Sequence, residues 1–98
     1  MAEIRWTEEA YRWLKDIFDY IALDSHQSAV NVVNGIYQKV QMLKQFPETG
    51  YKYRDEPDGN IRILLYGHYR IAYLLKDKNH IDILGIFHGA LDIDEYLL

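Results

Sequence analysis

The stretch from Ile61 to Ala90 reads IRILLYGHYRIAYLLKDKNHIDILGIFHGA, and it leaves few folds open to the chain. Three runs rich in β-branched, leucine and aromatic residues occupy positions 61–66, 69–75 and 81–87. Two short gaps separate them, Gly67-His68 and the polar residues 76–80. Runs of this length, punctuated by glycine or charge, predict strands joined by tight turns, and so an antiparallel meander. In the middle run Tyr69, Ile71, Tyr73 and Leu75 fall on one face of the strand, and Arg70, Ala72 and Leu74 on the other. Arg70 therefore stands among apolar neighbours. Desolvating an unpaired guanidinium costs several kcal/mol, so this side chain requires a partner.

The residues upstream supply helices. Ala2 to Trp6 read as a short strand, and Thr7 as a helix N-cap, with Glu8 and Glu9 in the first turn where the helix dipole favours negative charge. Ala10, Leu14, Ile17 and Ile21 then recur at helical spacing beside Tyr11, Trp13 and Phe18, which predicts an amphipathic helix to about Leu23. Asp24 and Ser25 interrupt it and can cap a second helix. Its stripe is Ala29, Val33, Ile36, Val40 and Leu43, and it ends near Phe46 because Pro47 and Gly50 follow. Residues 51–60 are polar and turn-rich and read as a connector; residues 91–98 read as a final helical turn or an ordered tail. The resulting order, β-α-α-β-β-β, is one α+β domain over residues 1–98. The helical hairpin covers one sheet face, and the other, carrying some of the arginines, is expected to remain available.

Composition narrows function mainly by exclusion. The chain has no cysteine, which rules out disulfides and thiolate metal sites. It has no apolar run of membrane-spanning length, and the opening MAEIRWTEEA is not a signal peptide, so a soluble cytoplasmic protein is expected. A net charge of −4 disfavours a general nucleic-acid binder, although the bases concentrate between Lys39 and Arg70 and the acids after Lys76. Aromatic residues make up 14% of a chain too short to bury them all easily, so part of that surface is expected to form an interaction patch. A tyrosine-rich core with hydroxyls reaching water is the alternative.

Catalytic chemistry is sparse. Ser25 and Ser28 lie at a helix start, where capping accounts for them. The histidines His26, His68, His80 and His88 are scattered without a pair at ligand spacing, and no glycine-rich phosphate loop exists, so no metal or cofactor is expected. Asp92, Asp94 and Glu95 read as a solvated chain end. What remains is a set of cations and aromatics: Lys52, Arg54, Arg62, Arg70, His88 and Tyr96. Arg62 and Arg70 belong to adjacent strands and would form an anion site if the register placed them on one face. The alternative is that Arg70 pairs with an internal acid such as Asp82.

At these residues the chain resembles a known family. Phe46-Pro47-Glu48-x-Gly50, then Arg62-x-Leu64, Gly67-x-Tyr69-Arg70-Ile71-x-Tyr73 and Ile83-Leu84-x-Ile86-x-His88-Gly89-Ala90 are similar, in that order, to the RelE/ParE toxin superfamily, most closely its ParE branch. The resemblance spans essentially the whole chain. It implies an α+β toxin of a type II toxin–antitoxin or plasmid-stabilisation pair, neutralised by a ParD-like antitoxin. ParE-like members are associated with inhibition of DNA gyrase, whereas RelE-like members cut mRNA on the ribosome.

RelE-like ribonucleases carry several bases on the first meander strand, an arginine on the second, a basic pair ending the third and often a later tyrosine. Here Arg62 and Arg70 match, Asn60 stands two before Arg62, and His88-Gly89 occupies the place of the basic pair. A ribonuclease built on this chain would use Arg62, Arg70, His88 and Tyr96. Leu91 departs from the ParE pattern, in which arginine or lysine commonly follows His-Gly-Ala.

The leading expectation is a gyrase inhibitor that does not itself bind DNA or membrane. Its target surface would include Arg62, His88, Gly89 and Tyr96, and its antitoxin helix would lie on Tyr11, Phe18 and Tyr37. A ribosome-dependent endoribonuclease and a ParE-fold binding protein without toxicity are the alternatives.

Overall fold

The computed structural model describes residues 1–89 and 91–97. The three apolar runs become strands β3 (Gly59–Tyr66), β4 (Tyr69–Asp77) and β5 (His80–His88) of one five-stranded sheet. The sheet is completed by β1 (Glu3–Trp6) at one edge and β2 (Tyr51–Glu56) at the other, in the order β1-β5-β4-β3-β2. Helices α1 (Glu8–Ala22) and α2 (His26–Gln41) form the hairpin, and short 3₁₀ turns follow at Met42–Lys44 and Ile93–Glu95. Thr7 and Ser25 cap the two helices, each side-chain oxygen accepting from a backbone N–H three residues on.

Two features differ from the sequence expectation. Residues 51–56 are a strand, not a connector, antiparallel to β3 with an irregularity between Lys52 and Arg54. Its alternation of Tyr51 and Tyr53 with Lys52 and Arg54 is that of an edge strand, whose charged residues also hinder pairing with other chains. The second sheet face, expected to be open, is covered. Ile93 and Leu97 are buried there on Ile61, Ile63, Ala72 and Phe87.

Register explains how one sheet serves two cores. Gly67, in the left-handed region at φ 55°, makes the two-residue turn that sets Tyr66 opposite Tyr69. Tyr69, Ile71, Tyr73 and Leu75 then meet the helices together with Leu64, Ile36, Val40 and Leu43. On β5 the pairing steps from Ala72–Gly85 to Tyr73–Ile83, leaving Leu84 as an extra residue. That bulge lets Ile81, Ile83 and Ile86 all reach the helix face, and turns Leu84 and Phe87 to the other side.

β1 runs parallel to β5, and Asp82 secures the pairing. This carboxylate, buried at the strand junction, accepts two hydrogen bonds from Arg5, at 3.1 and 2.9 Å, and a salt bridge from Lys76 at 3.0 Å. The hydrogen bonds from Arg5 are the main reason its pKa is lowered; burial works against them, and Lys76 adds to them. A depressed carboxylate pKa adds stability above its unfolded value, near 3.9, and that stability disappears as pH falls through the folded value. Asp82→Ala is expected to cost about 1.5–3 kcal/mol at neutral pH, the usual range for hydrogen bonds to a charged group. Urea midpoints of wild type and Asp82→Asn should differ at pH 7, begin to approach one another below about pH 4, and meet only below the lowered folded-state value.

Candidate functional site

Arg62 and Arg70 do not form an anion site. The turn register pairs Arg62 with Tyr73 and Leu65 with Arg70, so the two guanidiniums leave the sheet on opposite faces. Each is occupied by backbone carbonyls. Arg62 Nη1 donates to the carbonyls of Gly50 at 2.6 Å and Glu48 at 3.2 Å, while its Nε donates to Asn60 Oδ1. Beside it the fully buried Tyr73 hydroxyl donates to the Pro47 carbonyl at 2.7 Å and accepts from the Gly50 N–H at 3.0 Å. Its burial raises the phenol's pKa, keeping it protonated and able to donate. A Cβ on Gly50 would lie 2.8 Å from both the Ile63 carbonyl oxygen and the Tyr73 ring, so glycine alone fits this approach. The Phe46-Pro47-Glu48-x-Gly50 string, Arg62 and Tyr73 are thus one clamp that ties the end of the helical hairpin to the sheet.

Arg70 does the same for the other face. The acid that might have paired with it, Asp82, is held by Arg5 and Lys76. Arg70 Nη2 instead donates to the carbonyls of Gly89 and Leu91, and its buried Nε has no hydrogen-bond partner among the described residues. Residues 91–97 are fastened further by Arg54, which donates to the Leu97 carbonyl at 2.8 Å, and by the Tyr53 hydroxyl bonded to Asp94. Tyr96 closes the strap against Trp13 and Phe87, with ring centroids 5.1 and 5.6 Å away. Of the other cations in the set, Lys52 pairs with Asp55 and Arg54 also with Glu56.

His88 and Gly89 lie at the exposed end of β5. The His88 ring meets Tyr69 edge-on at 6.0 Å and His68 at 6.4 Å, on the helix side of the sheet. Tyr96 packs on Phe87, whose side chain leaves β5 on the opposite face. The four residues of a would-be ribonuclease are therefore divided, Arg62 and His88 on one face, Arg70 and Tyr96 on the other. Along β4, the partners of Arg62 and His88 are Tyr73 and Tyr69, about 13 Å apart at strand spacing. Ala90 of the His-Gly-Ala string lies outside the described residues. Among the described residues no three His, Asp or Glu side chains group to hold a metal, and no helix is long and apolar enough to cross a membrane.

The hairpin aromatics do gather at the surface. Tyr11 and Tyr37 both stack with Trp6, at 5.7 and 6.3 Å, and remain half exposed. Phe18 shares a shallow apolar groove with Tyr11, Leu14 and Val33. A second apolar groove lies between α1 and the ends of β4 and β5, where Trp13, Ile17 and Tyr20 face Tyr69, Ile86 and His88. Tyr20 was not singled out from sequence, although its place four residues before the helix break, off the apolar stripe, is a sign of surface aromatic exposure.

The sequence matches the profile of the ParE toxin of the type II toxin–antitoxin system parDE over residues 4–93. The chain belongs to the ParE toxin family. Among solved structures, a chain of the chromosomal ParDE toxin–antitoxin system from P. aeruginosa superposes on this ParE toxin with a TM-score of 0.72 at 27% identity. The match covers 90% of this chain and 96% of that one. No protein of curated function matches the sequence at a significant level.

Both clamps of this ParE toxin are open to direct test. Tyr73→Phe leaves the Pro47 carbonyl and Gly50 N–H without their partner and is expected to cost about 1–3 kcal/mol in chemical denaturation. Arg70→Ala removes the tie to Gly89 and Leu91, with an expected cost of about 1.5–3 kcal/mol. Amide exchange should rise selectively at Ile93 and Leu97 in that variant. Exchange that rises equally across β3 and β4 would show that Arg70 holds the sheet and not the strap.

Proposed function

We propose that this ParE toxin arrests growth by binding DNA gyrase in the cytoplasm and does not cut RNA. The observation that carries this reading is the division of Arg62, Arg70, His88 and Tyr96 between two sheet faces. In-line cleavage of RNA needs a base for the 2′-hydroxyl, an acid for the leaving oxygen and cations for the developing charge, all converging on one phosphate. Here both arginines serve backbone carbonyls, and the aromatic partner expected for His88 lies across the sheet. A binding inhibitor requires shape and hydrogen bonds only. The exposed end of β5, with His88 and Gly89, supplies the target-facing surface; Arg62 and Tyr96 contribute by fixing the loop and strap that frame the sheet.

A ParD-like antitoxin neutralises the toxin in this reading. Its helix lies on the aromatic surface of the hairpin, across Tyr11, Phe18 and Tyr37, where the exposed Tyr11 and half-buried Phe18 line an apolar groove and Tyr37 is exposed beside Trp6.

His88→Gln keeps a hydrogen-bonding side chain but loses proton transfer near neutral pH. It should retain most of the inhibition of supercoiling by purified gyrase, whereas a ribonuclease dependent on His88 would lose roughly 10²–10⁴-fold in rate. Primer extension on translated mRNA after induction provides the second readout. Codon-phased cleavage abolished by His88→Gln, alongside unimpaired supercoiling with the wild-type protein, would overturn the proposal.

A further inference from the structure

The groove between α1 and the sheet end has a chemical polarity of its own. Along α1, Glu9, Trp13, Asp16 and Tyr20 succeed one another at steps of four, three and four, and Asp24 follows four residues later, just past the helix. Residues so spaced share one side of a helix. Of these, Trp13, Asp16 and Tyr20 line the groove, Asp24 follows Tyr20 by one turn, and Glu9 faces a separate hollow beside Arg54. Tyr20 is 77% exposed, and Glu9, Asp16 and Asp24 are exposed as well. The bases of α1, Arg12 and Lys15, are paired with Glu8 at 4.0 Å and Asp19 at 2.6 Å, and Lys15 borders the groove of Tyr11 and Phe18. Behind the aromatic rings, Ile17, Tyr69 and Ile86 line a cavity of about 440 Å³. That is space for several side chains of a partner.

From this we infer that the groove seats a cationic amphipathic helix of the protein target, its apolar face on Ile17, Tyr69 and Ile86 and its lysines or arginines against Asp16, Asp24 and the faces of Trp13 and Tyr20. The inference rests on the reading of the sheet end around His88 as the target-facing surface, and it names the chemistry that surface takes. An apolar floor sets the amphipathic pattern. The acid–aromatic rim sets the sign of charge, because carboxylates and ring faces both attract cations. The same rim repels a phosphate backbone, so nucleic acid is the wrong ligand for this groove.

The test uses the intact protein and three labelled probes. These are a helical peptide of leucine and lysine with one apolar and one cationic face, a scrambled peptide of the same composition, and an oligouridine. The amphipathic peptide should bind with a salt-sensitive affinity and shift the amides around Ile17, Tyr20, Tyr69 and Ile86. Asp16→Lys combined with Tyr20→Ala, both at exposed positions that folding does not require, should weaken it roughly tenfold or more. Tyr11→Ala, on the other helix face, should leave it unchanged. Equal binding of the scrambled peptide, peptide-induced shifts centred on Tyr11 and Phe18, or oligouridine shifting the groove amides would each overturn the inference. Supercoiling assays separate it from the reading beneath it. Wild-type protein that fails to inhibit gyrase overturns the proposed target and leaves the peptide result standing. A wild type that inhibits, beside a double variant that inhibits equally well, overturns the groove's role and leaves the target standing.

Discussion

Strand β4 is apolar on both sides, with Ile71, Tyr73 and Leu75 facing one way and Ala72 and Leu74 the other. A strand of this kind cannot leave either face to water, and two helices are enough for only one face. The other must be closed by something short. Residues 91–97 do it with two buried side chains, Ile93 and Leu97, and so few apolar contacts would not hold a segment of that length by themselves. Hence the polar ties: Arg70 to the carbonyls of Gly89 and Leu91, Arg54 to that of Leu97, and Tyr53 to Asp94. Apart from Arg5, which binds the Asp82 carboxylate, each arginine in this sheet anchors irregular backbone to regular backbone. Arg62 does so on the helix side, and Arg70 and Arg54 do so on the strap side.

That arrangement decides what the cations are free to do. A guanidinium committed to two carbonyls in a partly buried site would have to abandon them to bind a phosphate, leaving acceptors unsatisfied. The same residues that look like catalytic equipment in the sequence are the fastenings of the fold. The groove beside β5 offers rings, the His88 imidazole and the Asp16 carboxylate. Such a surface suits recognition of another protein better than reaction with a nucleic acid.

The meander, the helical hairpin and the caps at Thr7 and Ser25 were legible because each rests on local periodicity or on one side chain reaching three residues ahead. The opposite placement of Arg62 and Arg70 was also within reach. A two-residue turn at Gly67-His68 forces Tyr66 opposite Tyr69, and counting outward then puts Arg62 opposite Tyr73 and Arg70 opposite Leu65. β2 was obscured by its exposure, since an edge strand written as YKYRDE has the composition of a loop. The partners of Arg70 were not legible at all. Backbone carbonyls leave no mark in a sequence, and Asp82, the acid on the neighbouring strand, is engaged by β1 through Arg5.

The parallel pairing of β1 with β5 joins residues 3–6 to residues 80–83. As the chain leaves the ribosome, the first strand has no neighbour in the sheet until the last one emerges. The helices can form early, from local contacts, but the hairpin's apolar face has only an incomplete sheet to cover until β5 arrives. A nascent chain of this topology therefore acquires its β5 surface, including the groove beside α1, only once residues 80–88 are free to pair. Up to that point it is a polypeptide whose hairpin exposes the apolar residues that the completed sheet covers.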